Sequence, residues 1–140
     1  MDEQQRRIPD LEELHEKEAY SFLTDVFFAE LSPEAVYEAN HPEDYAMEMP
    51  QSGERIRGRE NMRAFQEAYP NPPNIQLRRV VVREGLWVAE VVNDYGGRRV
   101  YDVAMIPELK DGRIWRDRRY YAEPVEAPEW RVQWVERVEF

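Results

Sequence analysis

Cysteine is absent from this chain of 140 residues. That rules out a disulfide framework, a thiolate nucleophile and any cysteine metal site, and it is compatible with a reducing interior. Histidine is nearly missing too: His15 and His41 are the only two, and without cysteine they do not make a metal site. No apolar run approaches the roughly 20 residues that a membrane span needs. The opening Met1-Asp2-Glu3-Gln4 is polar, without an apolar h-region, so no signal peptide is expected and the cytoplasm is the expected location. Gly53 and Gly58 are not spaced as a phosphate-binding loop, and no lysine follows them. Positive charge is also scarce. Lys and Arg number 19 against 29 Asp and Glu, for a net charge of −10. A nucleic-acid binder needs a cationic face to displace counterions, and an anionic membrane repels such a chain. No cofactor, metal, nucleic acid or membrane partner is expected.

What is present is enough for one domain with a real core: 42% hydrophobic and 12% aromatic residues, despite 34% charged. Residues 1–10 are charged, carry Pro9 and read as a flexible leader. From Asp10, the positions Leu11, Leu14, Ala19, Phe22, Leu23, Val26 and Phe27 recur at helical spacing, opened by a capping box of Asp10 and Glu13. Ser32-Pro33-Glu34 announces a second short helix, an N-cap followed by proline and an acid, which Asn40-His41-Pro42 stops. Residues 45–49 read as a strand ended by Pro50. Residues 59–65 look helical, entered through Gly58 and closed by Pro70-Asn71-Pro72-Pro73. The periodicity then becomes strand-like. Residues 75–83, 86–95, 99–109 and 113–121 are rich in Val, Ile, Tyr and Trp, with turns at Glu84-Gly85, Gly96-Gly97 and Asp111-Gly112. Three helices followed by a meander is an α+β layout, with helices on one face of a curved sheet. In the tail, residues 125–140, Pro128-Glu129 starts a short helix that would put Trp130 and Trp134 on one face. That tail is expected to pack on the domain or on a partner subunit.

The order of elements, with two motifs, resembles the SnoaL-like branch of the nuclear transport factor 2-like superfamily. The first motif is Met49-Pro50 followed by Gly53-Glu54-Arg55-Ile56-Arg57-Gly58-Arg59-Glu60-Asn61-Met62, similar to the branch's strand and its entry into the third helix. The second is Asp111-Gly112-Arg113-Ile114 leading to Arg118-Arg119-Tyr120-Tyr121. Together they cover residues 11–124. The resemblance implies a cone: a curved, mostly antiparallel sheet wrapped around three N-terminal helices, with one enclosed pocket. It also implies chemistry, where there is any, on side chains pointing into that cone; fold alone does not fix the activity. The superfamily includes ketosteroid isomerases, limonene epoxide hydrolases, polyketide cyclases, dehydratases and non-catalytic proteins.

Alternation along strands supplies the candidate inward residues. On the strand from Leu86, the less charged face carries Trp87, Ala89, Val91, Asn93 and Tyr95. On the next, Val100, Asp102, Ala104 and Ile106 form one candidate face. On the last, the choice lies between Asp117, Arg119 and Tyr121 and the set Arg116, Arg118 and Tyr120. The family pattern favours the former, with a bulge near Trp115. The candidate catalytic set is therefore Asp102, Arg119 and Asp117, with Asp102–Arg119 as the preferred acid/base pair. Asn93, Tyr95, Tyr121, Trp87, Val91, Glu48 and Tyr20 are the candidate substrate-binding residues, with Met47, Met49 and Phe28 as further contributors. A carboxylate beside an arginine in an apolar cup is either a tuned acid or base or a structural salt bridge.

Departures from the family's known chemistries narrow the candidate activities. The place of the ketosteroid isomerase aspartate, before the strand-ending proline, holds Met49. The epoxide hydrolase positions map to Val91, Asn93 and Arg119, and none of its three residues is retained. Three readings remain: a cofactor-independent acid/base enzyme on a small hydrophobic substrate, a non-catalytic binder or carrier of such a molecule, and an interaction module. A homodimer is expected with any of them. His15 reads as solvated and His41 as a capping residue. Arg55, Arg57, Arg59 and Arg63 read as surface ion pairs.

Overall fold

After Pro70-Asn71-Pro72-Pro73 the chain runs almost without interruption as strand, because β-branched and aromatic residues alternate with polar ones and glycine-containing turns punctuate them. The computed structural model describes residues 8–29, 33–97 and 99–139. Six strands form one sheet: β1 (Ala46–Met49), β2 (Glu54–Arg57), β3 (Asn74–Arg83), β4 (Leu86–Asp94), β5 (Val100–Lys110) and β6 (Arg113–Ala122), in the order β2-β1-β6-β5-β4-β3. The β1–β6 pair is parallel and the others are antiparallel. With helices α1 (Glu16–Phe22), α2 (Pro33–Ala39) and α3 (Arg59–Ala68), the architecture is α+β, as the sequence implied. α1 packs against β3 and α2 against α3.

The core lies between helices and sheet. Leu11, Leu23, Trp87, Ala89, Met105 and Ile114 are fully buried there, and Trp87 meets Phe22 edge-on at 6.3 Å between ring centroids. Cross-strand register defines the inner rows: Ile75–Asn93–Tyr101, then Leu77–Val91–Val103–Tyr121, then Val80–Ala89–Met105–Arg119, then Pro107–Asp117–Met47–Ile56. At the far end of β6, Glu108 pairs with Arg116 and Leu109 with Ile114, so Trp115 is the extra residue of a bulge. That bulge puts both Ile114 and Asp117 on the inner face.

Several local expectations change. The long first helix is broken into a 3₁₀ turn (Leu11–Glu13), α1 and a π turn (Leu23–Phe27). Asp10 caps the 3₁₀ turn through Glu12 N, and Glu18 caps α1 through His15 N at 3.1 Å. A short strand, β2, stands in the segment read as a helix entry. The Ser32 cap and most of the leader, residues 1–7, lie outside the described residues. The leader's described end is anchored rather than loose: Ile8 is buried, Arg113 donates to the carbonyls of Ile8 and Pro9, and Leu11 N donates to Gly112 O at 3.0 Å. Gly112 is required at that junction. Its φ is +73°, and a Cβ there would lie 2.6 Å from Asp10 Oδ1. His41 acts as a cap: buried Nδ1 accepts from Glu43 N and Asp44 N, and Nε2 donates to Asp111 Oδ2 at 3.0 Å.

The tail forms a 3₁₀ helix over Glu129–Trp134. With about three residues per turn, a four-residue separation no longer puts two indoles on one face. Trp130 is 73% and Trp134 71% exposed among the described residues. Among the described residues, no helix is long and apolar enough to cross a membrane.

Candidate functional site

The inner face does not fill completely. A cavity of about 540 Å³ opens between the sheet, α3 and the loop after α3. Its apolar wall is Met47, Met49, Met62, Phe65 and Ile75, and its rim is the segment Pro70-Asn71-Pro72-Pro73. Phe65 and Tyr69, four residues apart on α3 and its C-cap, meet edge-on at 5.6 Å. Tyr95 and Tyr101, from the end of β4 and from β5, meet edge-on at 5.6 Å. The hydroxyls of Tyr69 and Tyr95 join the two pairs at 2.6 Å. The result is an aromatic side wall with hydroxyls along it. Burial, then the hydrogen bond to Tyr69, pushes the Tyr95 phenol up to about 12.

At the other end stands Arg119. Its Nε and Nη2 both donate to Oδ2 of Asp117, at 3.0 and 2.7 Å. Asp117 is fully buried and the Arg119 side chain is 15% exposed, on the cavity side. Oδ1 of Asp117 has no hydrogen-bond partner among the described residues, and neither does the buried hydroxyl of Tyr45. Burial works most strongly against the Arg119 charge. The carboxylate of Asp117, with Tyr121 and Tyr45, outweighs it and holds the guanidinium pKa above its ordinary value. Burial, with the Asp117 charge behind it, raises the Tyr45 phenol, so that group stays neutral. No Asp, Glu or His lines the cavity among the described residues: its charged side chains are Arg99 and Arg119.

The structure brings together four of the expected site residues. Arg119, Asn93, Tyr95 and Tyr121 line the cavity, and Asp117 sits directly behind Arg119. The other five lie elsewhere. Asp102 is on the opposite face, its side chain 72% exposed and 3.8 Å from Arg78, so the Asp102–Arg119 pair does not form. The reason is register. Asn93 pairs with Tyr101, which puts Tyr101, Val103 and Met105 inward and turns Asp102, Ala104 and Ile106 outward. Glu48 also faces outward, bound to Arg55, Arg116 and Arg118, while its neighbours Met47 and Met49 enter the cavity. Trp87 and Val91 are buried in the core beside the cavity rather than lining it. Tyr20 is half exposed and donates to Leu77 O at 3.3 Å. Sequence reading missed Tyr69, Tyr101, Phe65, Met62 and Arg99. The i,i+4 spacing of Phe65 and Tyr69 was the available signal for two of them.

No family model matches the chain, and no curated protein matches it by sequence. Solved structures do. An NTF-2-like protein of unknown function from Burkholderia xenovorans LB400 shares 30% identity and a TM-score of 0.74, over 89% of this chain and 98% of that one. A candidate ketosteroid isomerase from Kribbella flavida DSM 17836 shares 27% identity and a TM-score of 0.72, over 86% and 90%. A candidate SnoaL-like polyketide cyclase from Jannaschia sp. CCS1 is similar in fold, at 14% identity and a TM-score of 0.58 over 81% and 87%.

Proposed function

The chain belongs to the nuclear transport factor 2-like family, and we propose that it uses its cavity to hold one small, largely apolar molecule without transforming it. The observation that carries this reading is the lining: aromatic and thioether walls, phenol and amide hydrogen-bonding groups, and no carboxylate or imidazole among the described residues. The volume suits a molecule of two to four fused or linked rings. Acid/base chemistry at neutral pH needs a group that gains and loses a proton there. Tyr95, pushed up to about 12, does not, and Arg119 is held charged. Native mass spectrometry of gently purified protein is expected to show a retained ligand that is released unmodified. The neutral dye N-phenyl-1-naphthylamine is expected to bind once per chain, and Met49→Trp, which fills the cavity, to abolish that binding. Recovery of a converted product, or no saturable dye binding, overturns the reading.

One observation favours a second reading within the SnoaL-like branch. Asp117 Oδ1 and Tyr45 Oη are buried beside Arg119 without a hydrogen-bond partner among the described residues. A rotation of Arg119 would present Asp117 to the cavity as an acid or base, and the family's isomerases, cyclases, dehydratases and hydrolases would be the model. Under that reading Asp117→Asn abolishes turnover of an identified substrate while leaving dye binding intact. With either reading we place a second copy of the chain against the outer sheet face, where Val88 and Tyr120 remain exposed, and against the tryptophan tail. Light scattering that finds only monomer at high concentration removes the dimer.

A further inference from the structure

We propose that the ligand of this cavity is a monoanion, a planar apolar body carrying one carboxylate, with Arg119 as its anchor. The inference rests on the binding reading above and goes past it in naming the charge and shape of the occupant.

Charge is unevenly placed in this molecule. The whole chain is acidic, at −10, yet no acid lines the cavity among the described residues while two arginines do. Desolvated charges require partners. Arg119 has one in Asp117, but both of its contacts fall on the single oxygen Oδ2. Nη1 has no hydrogen-bond partner among the described residues, and the side chain keeps 15% exposure where it lines the cavity. Arg99 stands at the other end, exposed to water, its guanidinium carbon 5.4 Å from the Tyr95 ring centroid. Arg119 and Asp117 cancel as a pair and Arg99 is solvated beside Glu123, so what the cavity lacks is a partner for the free edge of the Arg119 guanidinium. A carboxylate is the smallest group that accepts from that edge and matches the planar donor geometry of arginine.

Shape points the same way. The perpendicular pairs Phe65–Tyr69 and Tyr95–Tyr101 form side walls that favour ring faces and edges over branched aliphatic bulk. Register places Arg119 two inner rows from Asn93 and Tyr101, roughly 13 Å along the strands. A two-ring aromatic acid spans most of that distance with its carboxylate at Arg119. A cationic ligand would meet two arginines, and a long neutral lipid would leave Nη1 unpaired.

The test uses two competitors of one shape, 2-naphthoate and 2-naphthamide, each displacing N-phenyl-1-naphthylamine from the wild-type protein at neutral pH. Naphthoate is expected to displace the dye at about tenfold lower concentration than the amide. Parity, or a preference for the amide, overturns the anion assignment even though the dye still binds and the cavity reading stands. Failure of the dye itself to bind removes both. Asp117→Asn adds a readout that a purely structural pair would not move. Removing the internal counter-charge is expected to widen the naphthoate preference, and loosening of the site would instead weaken both competitors alike. An unchanged or narrowed ratio in a variant that melts cooperatively counts against Arg119 as the anchor.

Discussion

Strand β6 carries two ion-pair clusters, one on each face, and their contrast explains much of the molecule. Inside, a single carboxylate, Asp117, meets a single arginine, Arg119, where Asp117 is fully removed from water. Outside, a single carboxylate, Glu48, is shared by Arg55, Arg116 and Arg118, whose side chains are 32–50% exposed. The residues involved are of the same chemical kinds, only one position apart along the strand, and alternation alone sends them to different solvents. In the dry cluster each partner exists to neutralise the other, so removing one leaves an uncompensated charge. In the outer one the arginines keep water when a bond is lost, and Glu48, though only 14% exposed, is left with two other arginines when one is removed. The inner pair therefore belongs to the site and the outer one to the surface.

That contrast fails first if Asp117→Ala proves mild. Truncation there should cost about 3–5 kcal/mol in urea unfolding, by stranding the Arg119 charge. The double substitution Asp117→Leu with Arg119→Met should recover most of the loss, because no buried charge remains. A high-pH test comes next. The Tyr95 phenol is raised to about 12 from an ordinary value of 10, by burial and by Tyr69, so the folded state keeps that proton when the unfolded chain has lost it. Its contribution is complete below about pH 10 and fades between pH 10 and 12. Tyr95→Phe should flatten that alkaline limb in unfolding measured at several pH values.

On the outer face effects should be smaller. The Glu48 pKa is lowered, chiefly by its hydrogen bond from Arg55 acting against burial and assisted by Arg116. A lowered carboxylate contributes above its unfolded value of 4.5 and loses that contribution as pH falls further. Glu48→Gln should therefore cost within about 1 kcal/mol at neutral pH and soften the acid limb of stability. Asp102→Asn should be smallest of all, within about 0.5 kcal/mol, with dye binding unchanged. A large loss of binding in that variant would return Asp102 to the site.

Asp102 also shows where sequence reading stopped. On β4 one face is clearly less charged, and Trp87, Ala89, Val91 and Asn93 do point inward. On β5 both faces carry apolar residues, Val100, Ala104 and Ile106 against Val103, Met105 and Leu109, so alternation marks two faces without ranking them. The pairing of Asn93 with Tyr101 decides it, and that pairing depends on the length of the turn through Gly96 and Gly97. On β6 the bulge at Trp115 resolves the parity, as the family pattern suggested. The rim was misread for another reason. Pro70-Asn71-Pro72-Pro73 has the composition of a breaker, and nothing local says that a breaker will border a cavity.

Local chemistry by itself determined the second and third helices, the helical character of the first segment though not its breaks, the meander, its turns and the absence of thiol and membrane-span segments, because capping, glycine conformation and apolar periodicity act within a few residues. Which side chains share the hollow was left to the tertiary structure. Register between paired residues 6 to 70 positions apart selects one of two faces, and a one-residue shift exchanges Asp102 for Tyr101 or Glu48 for Met47. The arginine anchor and its aromatic walls are a product of that long-range choice.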